Sequence, residues 1–299
     1  MWKKANWLCL ALIYAGWGLA TWFHAFLPWW ALLPIGAVLL AWHGSFQHEA
    51  IHGHLSKHEW LNNLLICPPL NLWLPFPVYR QSHRAHHHFD ILTDPYQDPE
   101  SFYVDHQSWA ALPYIAQKAL IWHNTLPGRL LLGPFLTIGQ FLCCEAKALS
   151  YGDRRHLRPW LWHIIGVAMI MVWTTGICGM PVSAYLLFFV LPGTSLTLVR
   201  SFAEHKAAHT PYERTAIVEA GRFFSLLFLN NNLHFAHHRR PDLPWQALPS
   251  YYRRHRDNLL HENGHLVYPG GYREISRRFL ARPVDNPEHP FIQWYDHII

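Results

Sequence analysis

The chain has 299 residues, of which 51% are hydrophobic and only 14% charged, with a formal net charge of +5. A typical soluble domain is about 25% charged, so this composition argues against a fully soluble protein. The basic excess lies beside apolar stretches and no basic nucleic-acid motif is present, which favours a positive-inside membrane protein over a nucleic-acid binder.

The first long apolar stretch runs from Trp7 to Leu27, behind Lys3 and Lys4. It lacks a small-x-small cleavage site and another span follows, so a retained anchor helix with a cytoplasmic N-terminus is expected. A second span covers 29–46, with Pro28 in the turn and Pro34 tolerated near the start. It runs directly into His48 and His52. The stretch 60–78 is apolar but broken by Pro68, Pro69, Pro75 and Pro77, so an interfacial or half-inserted segment is expected. A polar loop follows over 89–113, rich in Asp and Glu. The stretch 126–144 is moderately apolar, holds Gly133, Pro134 and Gly139, and is flanked by Arg129 and Lys147. Strong spans follow over 160–180 and 182–199, turned by Pro181.

The 16 Trp and 13 Tyr suit membrane–water interfaces. The five Cys (Cys9, Cys67, Cys143, Cys144 and Cys178) contain no CxxC, and reduced, buried thiols are expected.

Four histidine clusters interrupt this pattern: HEAIH (His48, His52), HRAHH (His83, His86, His87), HKAAH (His205, His209) and HFAHH (His234, His237, His238). Residues three or four apart share a helix face, so each cluster can aim two or three imidazoles at one point. A lone His is usually a core or surface side chain. Two HxxxH and two HxxHH, each just after an apolar segment, are hard to obtain by chance even among 24 His. Imidazole suits iron, zinc, copper and nickel, and ten such ligands exceed what one ion accepts, so two ions are expected. Nearby His54, His58 and His88 have less suitable spacing.

HEAIH also matches the HExxH of zinc proteases, but such a site needs one or two further ligands, not three more clusters. Glu49 can instead orient an imidazole from outside the ligand set, as can Asp90, Glu204 and Asp242. A His-lined metal transporter would place its ligands at mid-bilayer, whereas these clusters lie at or beyond span ends.

If all four clusters build one site, they lie on one side of the membrane. Spans 7–27 and 29–46 return the chain to the cytoplasm, and spans 160–180 and 182–199 do so again. The stretch 126–144 must then be interfacial, in keeping with basic residues at both its ends. The expectation is an all-α integral membrane protein with four transmembrane helices in two hairpins. A cytosolic helical cap (47–159 and 200–299) carries the clusters, all within a single domain spanning 1–299.

The segments HEAIHGH, YRQSHRAHHH, RSFAEHKAAH and NNNLHFAHHRRPDLPW resemble the membrane-bound fatty acid desaturase/hydroxylase superfamily in a short bacterial-type version. The resemblance covers roughly 43–250, and TDPYQDPESFY after the second cluster is also similar to bacterial members. It implies a mushroom-shaped helical fold, a di-iron site and oxygen-dependent C–H oxidation of a long acyl chain. It implies ligand roles for His48, His52, His83, His86, His87, His234, His237 and His238, with His205 at the position where the family places a His or Asn ligand. Desaturase leads among the reactions; hydroxylase, ketolase and terminal-alkene-forming decarboxylase remain open. The sequence has no haem-binding HPGG and no ferredoxin-like Cys set, so a separate ferredoxin, rubredoxin or b-type cytochrome is expected as electron donor. Arg239, Arg240, Arg253, Arg254 and Arg256 offer either a docking patch for it or a lipid-headgroup contact. The cytoplasmic face of an inner membrane is the expected location.

Overall fold

The computed structural model describes residues 2–291; Met1 and the last eight positions of the expected 1–299 domain lie outside them. Helices dominate. In chain order they are α1 (Trp2–Trp22), α2 (Trp29–Ile51), α3 (Glu59–Ile66), α4 (Phe76–His86), α5 (His106–Ala111), α6 (Tyr114–His123), α7 (Leu126–Leu131) and α8 (Gly133–Ser150). Then come α9 (Leu157–Ile177), α10 (Val182–Ser201), α11 (Arg222–Leu227), α12 (His234–Arg239), α13 (Leu248–Glu262) and α14 (Gly271–Phe279). Two short strands, β1 (Ile217–Val218) and β2 (Val267–Tyr268), pair in parallel. The chain forms two compact units. One comprises residues up to Arg80 with Leu132–Leu198; the other comprises Gln81–Leu131 with Val199 onward.

Among the described residues, α2, α9 and α10 are long and apolar enough to cross a membrane. The first helix is not among the three. It ends at Trp22 instead of Leu27, a 3₁₀ turn over His24–Phe26 intervening, and its indoles and buried Asn6 dilute its apolar content.

Within the first unit, α2 and α10 approach very closely. A Cβ added at Gly36 would stand 2.2 Å from Phe188 O, and one at Gly193 would stand 2.5 Å from the Leu40 Cβ. Small residues permit such backbone contact where lipid supplies no hydrophobic drive. The approach falls where α10 widens into a π-helix over Leu186–Val190. Pro192 explains the widening: it has no N–H to offer Phe188 O, and its ring crowds that carbonyl. A second π segment, Val172–Ile177, ends α9, where the Thr174 and Thr175 hydroxyls donate back to Ile170 O and Met171 O. Gly36→Ala is expected to destabilise by about 1–3 kcal/mol through overpacking, read as a melting temperature several degrees below wild type; an unchanged melting temperature would remove this crossing as a close contact.

The Pro-broken segment between α3 and α4 leaves backbone carbonyls without helical donors. Side chains of the same unit supply them. Tyr14 donates to Leu65 O (2.6 Å), Tyr185 to Leu70 O (2.7 Å) and His163 to Leu72 O (2.9 Å). Irregular backbone is tolerated beside apolar helices when every polar group is bonded in this way. The expected 126–144 segment is two helices, α7 and α8, split at Leu132. All five cysteines are free, but Cys67, Cys143 and Cys144 are exposed, against the expected burial.

The second unit packs α12 and α13 around a core of Ile217, Leu233, Phe235, Ala236, Leu248, Tyr252, Leu259 and Leu260. The run before α12 turns through positive φ at Leu229 and Asn230, and Asn232 donates to Val218 O at 2.7 Å, which anchors the helix start to β1. The last described stretch straps the loop after α4. Val104 N donates to Pro287 O, His289 N to Val104 O, and the Tyr103 hydroxyl to Asp285.

Candidate metal centre

Local structure decides where each histidine can reach. In the first unit, α2 extends through Ile51, so His48 lies in its last turn and His52 caps it; the two rings stand 5.0 Å apart. Glu49 is buried and accepts from His54 Nδ1 at 3.0 Å.

In the second unit, α4 carries His83 and His86, and His87 follows with its N–H on His83 O. Helix α12 carries His234, His237 and His238, all buried. The third cluster departs from the expected helical spacing. Helix α10 stops at Ser201, and His205 instead pairs across a short antiparallel bridge with Thr215. With no helix there, His205 and His209 do not share a face. His209 is exposed and its ring packs tilted against Phe291 at 3.8 Å, outside both groups described next.

Seven histidines of this unit form two groups. In one, His83 Nε2 lies 3.0 Å from His87 Nε2, which lies 3.2 Å from His237 Nε2. In the other, His205 Nε2 lies 3.0 Å from both His86 Nε2 and His234 Nε2, and His234 Nε2 lies 3.1 Å from His238 Nε2.

For four of the rings these approaches are poor hydrogen bonds, because the other nitrogen of each already faces an acceptor. His86 Nδ1 faces Asp98 Oδ1 at 2.8 Å, His83 Nδ1 faces Glu100 Oε1 at 3.0 Å, and His205 Nδ1 faces Arg214 O at 3.2 Å. His234 Nδ1 faces Asn231 Oδ1 at 3.2 Å, with Glu204 Oε1 at 3.4 Å. A neutral ring whose proton sits on Nδ1 presents a bare lone pair at Nε2. Several bare lone pairs converging in a buried place need a cation between them. Nitrogens bonded to one metal at about 2.1 Å stand about 3.0 Å apart at right angles and about 3.4 Å apart at tetrahedral angles. The observed spacing matches the former, which disfavours a four-coordinate structural zinc. The residues therefore fit two ions with several imidazole ligands each.

Electrostatics agree. Burial pushes the basicity of His205, His234 and His238 well below the ordinary imidazole value, keeping them neutral donors. At His86 burial also opposes protonation, but Glu100, Asp98 and Glu204 outweigh it and lift the value to about 9. The surroundings of that ring favour a positive charge, whether proton or metal ion. Burial raises Glu204 to about 7, against the pull of Arg200 and His86.

Of the four carboxylates singled out in the sequence, Glu204 comes within reach of a clustered histidine, His234. Asp90 is exposed, and Asp242 is exposed and bonded to Arg240. Glu49 turns to His54, while His58 and His88 are exposed. The residues that hold His86 and His83 are Asp98 and Glu100, on the loop after α4. The acidic run TDPYQDPE was the available signal, but nothing in its spacing marks which carboxylate returns.

A largely helical protein with apolar spans and paired polyhistidine clusters belongs to the membrane metal-dependent oxidoreductases of lipids. More narrowly, the chain belongs to the fatty acid desaturase family, whose sequence profile matches residues 21–270. Membership implies iron, a fatty acyl substrate and a redox partner. A comparison with curated proteins finds no significant match.

Proposed function

We propose that this protein is a di-iron, oxygen-dependent fatty acyl desaturase of the cytoplasmic membrane. The observation that supports it best is the convergence of His86, His205, His234 and His238 through their Nε2 atoms, each held within 3.1 Å of a neighbour. One ion is assigned to these four. The other is assigned to His83, His87 and His237, and the HEAIH pair, His48 and His52, joins that set on the strength of its sequence spacing. His209 is left out. Iron with open positions supplies oxygen-dependent oxidation of an unactivated C–H bond.

The chain's own contribution is orientation and dryness. Asp98 and Glu100 fix the tautomers of His86 and His83, so that Nε2 stays bare. Asn231 does the same for His234. Burial excludes water from the reacting carbon. The proposed topology is four crossings in two hairpins, with the clusters on the cytoplasmic side. A separate electron carrier (ferredoxin, rubredoxin or b-type cytochrome) supplies reducing equivalents. Removal of two hydrogens gives a double bond; hydroxylation, ketone formation or terminal-alkene-forming decarboxylation would follow from a different placement of the same chain.

Expression in a host of known lipid composition, followed by mass spectrometry of its fatty acids, tests this reading. A new double bond with wild type and none with His237→Ala is expected, with about two irons per chain in the purified protein. An added hydroxyl or a terminal alkene would reassign the reaction. Iron-loaded protein that alters no lipid or carotenoid would refute it, and a single zinc per chain would refute the site.

A further inference from the structure

The second unit carries an unneutralised basic face whose position is fixed by aromatic contacts. Phe202 directly follows the end of α10, and its buried ring lies 5.9 Å from Phe279 at the end of α14. This contact ties the end of α14 to the residue that follows α10. Tyr272 of α14 packs against the rings of Phe224 (4.7 Å) and Phe228 (5.4 Å), which fastens α11 beside it. On these two fastened helices, large apolar side chains are left outside: Phe223 is 59% exposed, Leu226 48% and Leu280, just past α14, 62%. Around them stand exposed Arg222, Arg273, Arg277 and Arg282, which have no acidic partner among the described residues. Only Arg278 is neutralised here, by Glu274 at 2.6 Å.

The arginines near α12 and α13 behave differently. Arg239 pairs with Glu262 (3.0 Å), Arg240 with Asp242 (2.8 Å) and Arg256 with Glu219 (2.8 Å). Three of the five residues expected as a docking patch are thus already neutralised.

We propose that α11 and α14 form a lipid-surface contact, in which Phe223, Leu226 and Leu280 insert at the headgroup level and Arg222, Arg273, Arg277 and Arg282 bind anionic headgroups. Apolar side chains rimmed by unpaired arginines are the pattern of an interfacial amphipathic segment. A soluble acidic partner would not need bulky apolar residues placed at the end of a span. The proposal rests on α10 as a span and is independent of the oxidation chemistry.

The test places a photoreactive benzoylphenylalanine at Phe223 in the full chain, and separately at Arg253 on α13 as a control. The protein is reconstituted in phosphatidylcholine vesicles with or without phosphatidylglycerol, and lipid adducts are read by mass spectrometry. Adducts at position 223 are expected to exceed those at 253, and to rise about threefold or more with the anionic lipid. That rise should shrink in high salt, as the screening length falls from about 10 Å at 0.1 M to about 3 Å at 1 M. It should vanish when Arg222→Gln, Arg273→Gln, Arg277→Gln and Arg282→Gln are combined, in a variant whose melting temperature matches wild type. Equal labelling at 223 and 253, equal labelling in neutral and anionic vesicles, or protein adducts replacing lipid adducts at 223 in whole cells would each overturn the proposal.

Discussion

His234→Ala is expected to abolish lipid oxidation and to lower bound metal by about half, because one of two ion-binding groups loses its central donor. His234 is 1% exposed, and its Nε2 lies between those of His205 and His238. Its removal also leaves Asn231 Oδ1 without the ring it faces. The helix should survive the change. Alanine is the best helix former, and the buried neighbours Phe235 and Ala236 still anchor α12 to the core. A helical circular-dichroism spectrum equal to wild type, with activity lost and metal reduced, is the expected combination. Full metal content with full activity would show that the group around His205 does no chemistry.

Asp98→Asn is expected to lower metal affinity or turnover by about 10- to 100-fold, the usual effect of losing a partner that orients a metal-binding histidine. Asp98 does three jobs at once. Its Oδ1 faces His86 Nδ1 and accepts the Glu100 N–H at 2.9 Å, while Oδ2 accepts the Thr93 N–H at 3.0 Å. Asparagine keeps the shape but loses the charge and one acceptor oxygen. The variant should therefore fold while binding metal poorly, and excess iron in the assay should restore part of the turnover. Asp242→Asn is the matched control, since that side chain is exposed and bonded to Arg240. Equal loss in both variants would mean that Asp98 acts through general stability.

The parts legible in the sequence are those governed by one repeating rule. Apolar stretches of sufficient length became α2, α9 and α10, and the three- and four-residue spacing of HRAHH and HFAHH became helices or helix ends that aim their rings together. HKAAH obeys the same spacing but lies beyond a helix end, where Lys206 N bonds to Arg214 O and Ala216 N to Glu204 O across a bridge. Spacing says nothing about whether a helix continues, so His205 reached its group and His209 did not. The carboxylates escaped for a related reason. Asp98 and Glu100 return from an irregular loop 12 and 17 residues away, held by turn bonds to the Asp94 carboxylate and by the far strap at Val104, none of which has a period. Glu49, Asp90 and Asp242 were adjacent to clusters in sequence, but adjacency along a helix or turn points side chains in different directions.

The alternation of segments between the two compact units carries a consequence for biogenesis. The chain leaves the first unit at Arg80, returns to it at Leu132 and leaves again at Leu198. His86 and its neighbour His205 are consequently 119 residues apart in the chain, and the intervening stretch includes α8, α9 and all of α10. Early in synthesis, HRAHH emerges with two of its three companion clusters still unmade and with α9 and α10 not yet inserted. Closing so long a loop is entropically costly and slow, and it is repaid only after late contacts form. The group is therefore complete only once at least the first 238 residues have been translated, since His238 belongs to it. A ribosome stalled before that point would hold a membrane-inserted chain with an incomplete ligand set, and premature termination there should yield metal-free protein destined for proteolysis.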